Sequence, residues 1–180
     1  CWAYNREYGT RYIAAMPTNL YGPGDNYDLK SSHVLPALMR KMHEAKQHGE
    51  RSVTVWGTGT PRRELLLSDD MADACVFLAC LPDRTFDDLF AANTLAPLIN
   101  IGYGSDFTIR ELAERVAALL EFNGKLVFDA GRPDGTPQKL LDTARLSALG
   151  WKPATSFDDG VRLTYADFLA RYEKEIATRS

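Results

Sequence analysis

The chain has 180 residues, 45% hydrophobic and 25% charged, with a net charge of −3 at pH 7. That length supports one domain with a real core, or at most two small lobes. The acidic balance argues against broad binding to nucleic acid or an acidic membrane surface, though not against a local basic pocket.

No apolar run is long enough to span a bilayer, and no signal-peptide pattern is visible. Cys1, Cys75 and Cys80 show no metal-ligand spacing. An odd, unpatterned set suits a reducing compartment, so a cytoplasmic location is expected.

Cys1 to Tyr8 reads as the last turns of a helix stopped by Gly9. A start inside a helix, without an initiator methionine, is expected of a piece of something longer. Arg11 to Met16 predicts a buried strand. Pro17 to Asn26, P-T-N-L-Y-G-P-G-D-N, is rich in turn residues and predicts no long regular element. A polar loop after a strand is where open α/β sheets place ligands. Ser31 and Ser32 are the candidate caps of a helix from about His33 to Gln47. Its Val34, Leu35, Leu38, Met39 and Met42 follow a 3.6-residue period. His33 falls in the first turn, with Arg40 and Lys41 one to two turns on.

Val53 to Trp56 alternates as a strand does. Gly57, Gly59 and Pro61 then turn the chain sharply. Arg62 and Arg63 lead into an apolar run, Glu64 to Leu67. Ser68, Asp69 and Asp70 open a helix to about Leu81, with Ala72, Val76, Phe77 and Leu78 on its apolar side. The corner sets an aromatic ring beside guanidinium groups. Such a pair suits a base or sugar face next to a phosphate, because arginine offers phosphate oxygens a fixed fork of donors.

Pro82 to Pro97 shows no readable pattern. Leu98 to Gly102 predicts a short buried strand. Ser105 or Asp106 is the expected cap of a helix over Thr108 to Phe122, with Ile109, Leu112, Val116, Leu119 and Leu120 inward and Asn123-Gly124 as its stop. Lys125 to Phe128 predicts another strand. Residues 129 to 137, D-A-G-R-P-D-G-T-P, form a loop. Leu140 to Leu149 gives a short strand or turn and a short helix ended by Gly150. Ser156 and Asp159 start the last helix, to about Ile176, in a capping-box pattern with Asp for Glu or Gln. There is no internal repeat and no separating linker.

The loops carry a recognisable set. P-T-N-L-Y-G-P-G-D-N-Y, S-S-H-V-L-P-A-L-M-R-K and V-W-G-T-G-T-P-R-R-E-L-L-L-S-D-D-M-A-D-A come first. N-I-G, D-F-T-I-R-E-L-A, F-D-A-G-R-P-D-G-T-P-Q-K-L-L-D and R-L-S-A-L-G-W follow in order. Together they resemble the extended short-chain dehydrogenase/reductase superfamily, in its branch of epimerase-reductases that act on a GDP-4-keto-6-deoxy sugar. The resemblance covers nearly the whole chain, and it is to the carboxyl-terminal part of that family. The family's glycine-rich fingerprint and Tyr-x-x-x-Lys set are not found. Gly57-Thr58-Gly59 and Gly102-Tyr103-Gly104 do not continue into G-x-G-x-x-G.

The resemblance implies an α/β fold: the closing strands of a Rossmann-type NAD(P)-binding fold plus the smaller carboxyl-terminal substrate-binding lobe, with residues 1–180 all in that part. It implies NADP (NADPH) as cofactor, a GDP-sugar substrate, no metal, and a homodimer in the intact protein. The chain alone is expected to be inactive as a reductase. Other readings stay open: another NAD(P)-dependent nucleotide-sugar epimerase or dehydratase, or a non-catalytic nucleotide-sugar-binding module.

Residue by residue, the family's S-H-V histidine matches His33, as an acid/base residue beside nicotinamide and sugar. An imidazole with a reference pKa near ~6.5 can give or take a proton near neutrality. Without the family, His33 reads as a surface or capping histidine. The family's partner cysteine is matched by none of Cys1, Cys75 and Cys80. Pro17, Thr18, Asn19 and Leu20, with His33, correspond to the nicotinamide side of the cofactor site. Lys41 matches a basic substrate-binding position, and otherwise reads as a solvated helix charge. Trp56 is placed against the substrate, or is a strand-end core aromatic. Arg63 is a phosphate contact, or a surface charge paired with Glu64 or Asp69. Asp134 is a turn residue, or an acceptor for a sugar or ribose hydroxyl.

Overall fold

The computed structural model describes residues 1–90 and 97–179. Its organising element is strand β4, Arg62–Leu67. This strand lies parallel to β2 (Asn19–Tyr21), antiparallel to β6 (Asp106–Thr108) and parallel to β8 (Gln138–Lys139). Two further parallel pairs flank it: β1 (Ala14–Pro17) with β5 (Leu98–Ile101), and β3 (Ser52–Trp56) with β7 (Lys125–Asp129). Parallel strands joined through helices make the fold α/β, as expected.

The sequence E-L-L-L in β4 lacks polar alternation because the strand is buried on both faces. Successive side chains point oppositely, so Leu65 and Leu67 enter one core and Leu66 another. The first core packs helices α2 (Val34–His48), α5 (Ile109–Leu119) and α7 (Phe157–Arg179) through Leu35, Met39, Met42, Leu112, Val116 and Val161. The second packs α3 (Ser68–Ala79) and α6 (Ala144–Ala148) on β5 through Ala74, Leu78, Ile99, Ile101, Leu146 and Trp151. Full burial of each large aliphatic side chain contributes ~1.5–3 kcal/mol before entropy is counted. No helix among the described residues is long and apolar enough to cross a membrane.

Several expectations need correction. The first strand is shorter than Arg11 to Met16 and mostly exposed, since β1 pairs only with β5 among the described residues. The loop after it holds a short strand, β2, which its turn residues conceal. Neither Ser31 nor Ser32 caps α2. The N-cap is His33 itself, without a side-chain capping bond, while the Ser31 hydroxyl bonds to Asp28. Helix α3 buries Asp70, Ala74 and Leu78, leaving Val76 exposed.

The unpatterned stretch contains helix α4, Asp83–Phe90. Residues 91–96 lie outside the described residues. Asp106 belongs to β6, and α5 is capped by Thr108 in a reciprocal box with Glu111. The Ser156–Asp159 bonds do form, the Asp159 N–H donating to Ser156 Oγ at 3.2 Å.

Candidate functional site

One pocket of about 280 Å³ opens between the amino end of α2, the corner after β3 and the loop after β7. Its wall includes Lys30, Lys41, Trp56, Arg63 and Asp134. All four residues assigned to the substrate side therefore meet on one cavity, although they come from separate elements.

Lys41 projects from α2 with the Nζ donating to the Thr54 carbonyl at 3.1 Å and lying 5.0 Å from the Trp56 ring. Burial lowers the affinity of this ammonium for its proton, so its pKa falls below the ordinary lysine value. Trp56 ends β3 with 56% of its surface exposed. It faces out because strand alternation buries Val53 and Val55 instead. Arg132 approaches the same ring at 5.0 Å. The indole is thus bracketed by cations, which are attracted to its π system.

Arg63 lies inside β4 and not at the corner. Its Nη1 donates to the Arg62 and Thr136 carbonyls, both at 2.6 Å. It pairs with neither Glu64 nor Asp69. Gly135 lacks a side chain where a Cβ would stand 2.8 Å from Arg63 Nη2. That close approach seats the guanidinium against the loop.

Asp134 has a structural task. Its Oδ1 accepts from the Thr58 N–H at 2.9 Å and its Oδ2 from the Thr58 hydroxyl at 2.8 Å. The carboxylate therefore clamps the Gly57–Gly59 corner, whose glycines adopt φ of 86° and 83°. Those angles are strained for any residue with a Cβ. Each carboxylate oxygen retains a second lone pair, so Asp134 keeps acceptor capacity toward the pocket.

The other assigned residues stand elsewhere. His33 is exposed at the amino end of α2 and is not part of the pocket wall, although Ser32 and Val34 on either side of it are. It is close enough to Asp25 for their charges to interact. Asp25 is pushed up mainly by burial, and His33 opposes that shift. Pro17, Thr18, Asn19 and Leu20 form the carboxyl end of β1 and the start of β2. The Thr18 hydroxyl and the Asn19 amide both donate to the Glu64 carbonyl, at 3.2 and 2.8 Å.

Two cations were missed in the sequence: Lys30, which lines the pocket, and Arg132, which approaches the Trp56 ring without being part of the wall. Arg132 shares a loop with Asp134, and its basic type beside a glycine/proline turn was the available signal. Arg62, adjacent to Arg63, instead bonds Asp106 at 2.8 Å and ties β4 to β6. No group of three or more His, Cys, Asp or Glu among the described residues could hold a metal ion.

Residues 1–88 match the NAD dependent epimerase/dehydratase family. The chain is 52% identical to GDP-L-fucose synthase 1 of Arabidopsis thaliana over 94% of its own length and 49% of that protein's. It is 47% identical to GDP-L-fucose synthase of Escherichia coli, covering 97% of this chain and 54% of the relative. The chain thus spans about half the length of the curated relatives it matches. Among solved structures it resembles a GDP-D-glycero-L-gluco-heptose synthase from Campylobacter jejuni, determined in the presence of NADPH. That likeness has a TM-score of 0.79 and 35% identity, over 94% of this chain and 56% of the other.

Proposed function

We infer that the chain belongs to the NAD dependent epimerase/dehydratase family, whose model matches residues 1–88, and that residues 1–180 are the substrate-binding, carboxyl-terminal part of a GDP-L-fucose synthase, as the identity to such enzymes supports. The reaction proposed for the whole protein is conversion of GDP-4-keto-6-deoxy-D-mannose to GDP-L-fucose with NADPH. The observation that carries this reading is the convergence of Lys41, Trp56 and Arg63 on one pocket.

A diphosphate needs several positive donors in a partly desolvated place. Lys30, Lys41 and Arg63 supply them, and Asp134 is the one acid of the described wall. Trp56 offers an exposed ring face for the base or sugar. The 4-keto group acidifies the protons on C3 and C5 of the sugar. His33 is assigned the movement of a proton at these carbons, because an imidazole can exchange protons near neutrality. Its place between Ser32 and Val34, both of which line the pocket, supports that role.

NADPH, when bound, supplies hydride to C4. The cofactor's nicotinamide side fits the open end of β1, where Met16 and Pro17 are exposed. The side chains of Thr18 and Asn19 are already engaged and Leu20 packs against the second core, so main chain and Pro17 are left to face it. We also place the whole protein in the cytoplasm as a homodimer, the free cysteines Cys1, Cys75 and Cys80 suiting a reducing compartment.

The test is calorimetric titration with GDP of the chain and of Arg63→Ala. A hydrogen bond to a charged group contributes ~1.5–3 kcal/mol, so the variant should bind about tenfold or more weakly. An unchanged dissociation constant would reject the phosphate role. Failure of the unaltered chain to bind GDP at millimolar concentration would reject the pocket's assignment.

A further inference from the structure

Glu64, next to Arg63 on β4, is completely buried. A carboxylate out of water needs compensating donors. Here the main chain provides them: Oε1 accepts from the Gly104 N–H at 2.7 Å, and Oε2 from the Leu141 N–H at 3.0 Å. Gly102 makes the room, because a Cβ there would collide with the carboxylate. The Glu64 carbonyl meanwhile accepts from Thr18 and Asn19. One residue therefore touches the loop after β1, the loop after β5 and the segment after β8.

The residues before β8, Pro133 to Gly135, are pocket wall, and one segment runs from them through β8, which pairs with β4, to Leu141. It is held near its start by Asp134 on Thr58 and by Thr136 on Arg63. Glu64 holds its far end at Leu141. Neither Glu64, Gly104 nor Leu141 lines the pocket itself. A covalent neighbour of the phosphate-facing arginine thus bonds both the far end of the segment whose start is the pocket wall beside that arginine and the loop at the end of β1.

We propose that Glu64 is a positioning residue that registers the segment 133–141, whose first residues are pocket wall, and the loop Pro17–Leu20 against Arg63, coupling the two sides of the site. For its ligand this rests on the reading of the pocket given above. The coupling itself rests on hydrogen bonds alone.

The test compares the chain with Glu64→Gln and Gly102→Ala, well below their melting temperatures. Glutamine keeps one acceptor but turns an amide N–H toward the other main-chain donor. Alanine at 102 displaces the carboxylate without altering its charge. Hydrogen exchange without ligand should accelerate about tenfold or more at Gly104 and Leu141. The acceleration should spread to the N–H groups of Thr58, Arg62 and Thr18, which donate to Asp134, the Pro137 carbonyl and the Ile101 carbonyl, while α5 stays protected. Confinement to Gly104 and Leu141 would overturn the proposal, as would uniform acceleration of the whole chain.

Coupling is reciprocal. GDP added to the unaltered chain should therefore slow exchange at Gly104 and Leu141, and both variants should bind GDP several-fold more weakly. Slowing restricted to the pocket wall would also overturn the proposal, and needs no variant that folds. If GDP does not bind, the ligand reading fails, and the ligand-free comparison still decides the role of Glu64.

Discussion

Adjacent residues of the same type have separate tasks here. Arg62 is spent on Asp106 and on joining two strands, whereas Arg63, one pleat on, faces the pocket wall. Two histidines, one capping α2 and one within it, differ in the same way. His33 is exposed at the helix start, while His43 is 7% exposed within an aromatic cluster, 2.8 Å from the Tyr165 hydroxyl. Burial is the main force lowering the His43 pKa, with Lys46 assisting and Glu44 opposing. The sign of the linkage follows. Above the ordinary value of 6.5, both folded and unfolded chains hold neutral His43 and nothing changes. As the pH falls through 6.5, the unfolded chain takes up the proton while the folded chain resists, so stability falls. It levels off once the pH is below the folded value. A nuclear magnetic resonance titration of the ring protons should place the His43 midpoint below 6.5. A midpoint at or above that value would contradict the burial argument.

At the scale of elements, the capping box of α5 is the sharpest local device. Thr108 Oγ1 accepts the Glu111 N–H at 3.0 Å, and Glu111 Oε2 accepts the Thr108 N–H at 2.8 Å. Thr108→Ala should destabilise the chain by ~0.5–2 kcal/mol in urea unfolding. A change within the error of the midpoint would show that the β4–β6 pairing alone sets the start of this helix. The Thr-x-x-Glu spacing stands in the sequence, but the caps expected from it were Ser105 or Asp106, with Thr108 already inside the helix. Only the pairing of Asp106 with Glu64 and of Thr108 with Arg62 fixes the boundary. Periodicity located α2, β3, β5, α5 and β7 because one face of each meets a core. It failed for β2, whose short span is hidden among turn residues. It failed also for the inward face of α3, where the buried Asp70 serves main-chain donors at Ala154 and Thr155. A buried polar residue that partners a distant loop carries no local signature. Lys41, Trp56, Arg63 and Asp134, which the structure brings to one pocket, were singled out in the sequence through the family resemblance. The clamp of Asp134 on Thr58 and the seat of Glu64 were not, since both depend on segments far apart in the chain.

For the whole molecule, the pocket and the chemistry separate. The chain brings cations and an aromatic face to one pocket, while the family's reductive motif is not matched by its residues. None of the eight tyrosines is followed four positions later by lysine, so there is no Tyr-x-x-x-Lys pair to protonate a reduced carbonyl oxygen. The pairs Gly57/Gly59 and Gly102/Gly104 open no phosphate-cradling turn, and both are engaged otherwise. The first is braced by Asp134, and the second surrounds the Glu64 carboxylate. Hydride transfer needs a cofactor held in register with the sugar, and a misplacement of about 1 Å can cost ~100-fold in rate. These 180 residues should therefore bind a GDP-sugar while showing no NADPH oxidation with GDP-4-keto-6-deoxymannose. The two measurements belong on one preparation: calorimetry for GDP, and absorbance for NADPH turnover. Binding without turnover is the expected pair. Turnover at an ordinary enzymatic rate, in material free of longer protein, would mean that a proton donor and a cofactor cradle exist among residues assigned here to structure. Tyr103 and the Gly102–Gly104 loop would then be the first place to look, because they line a separate cavity at the carboxyl end of β5.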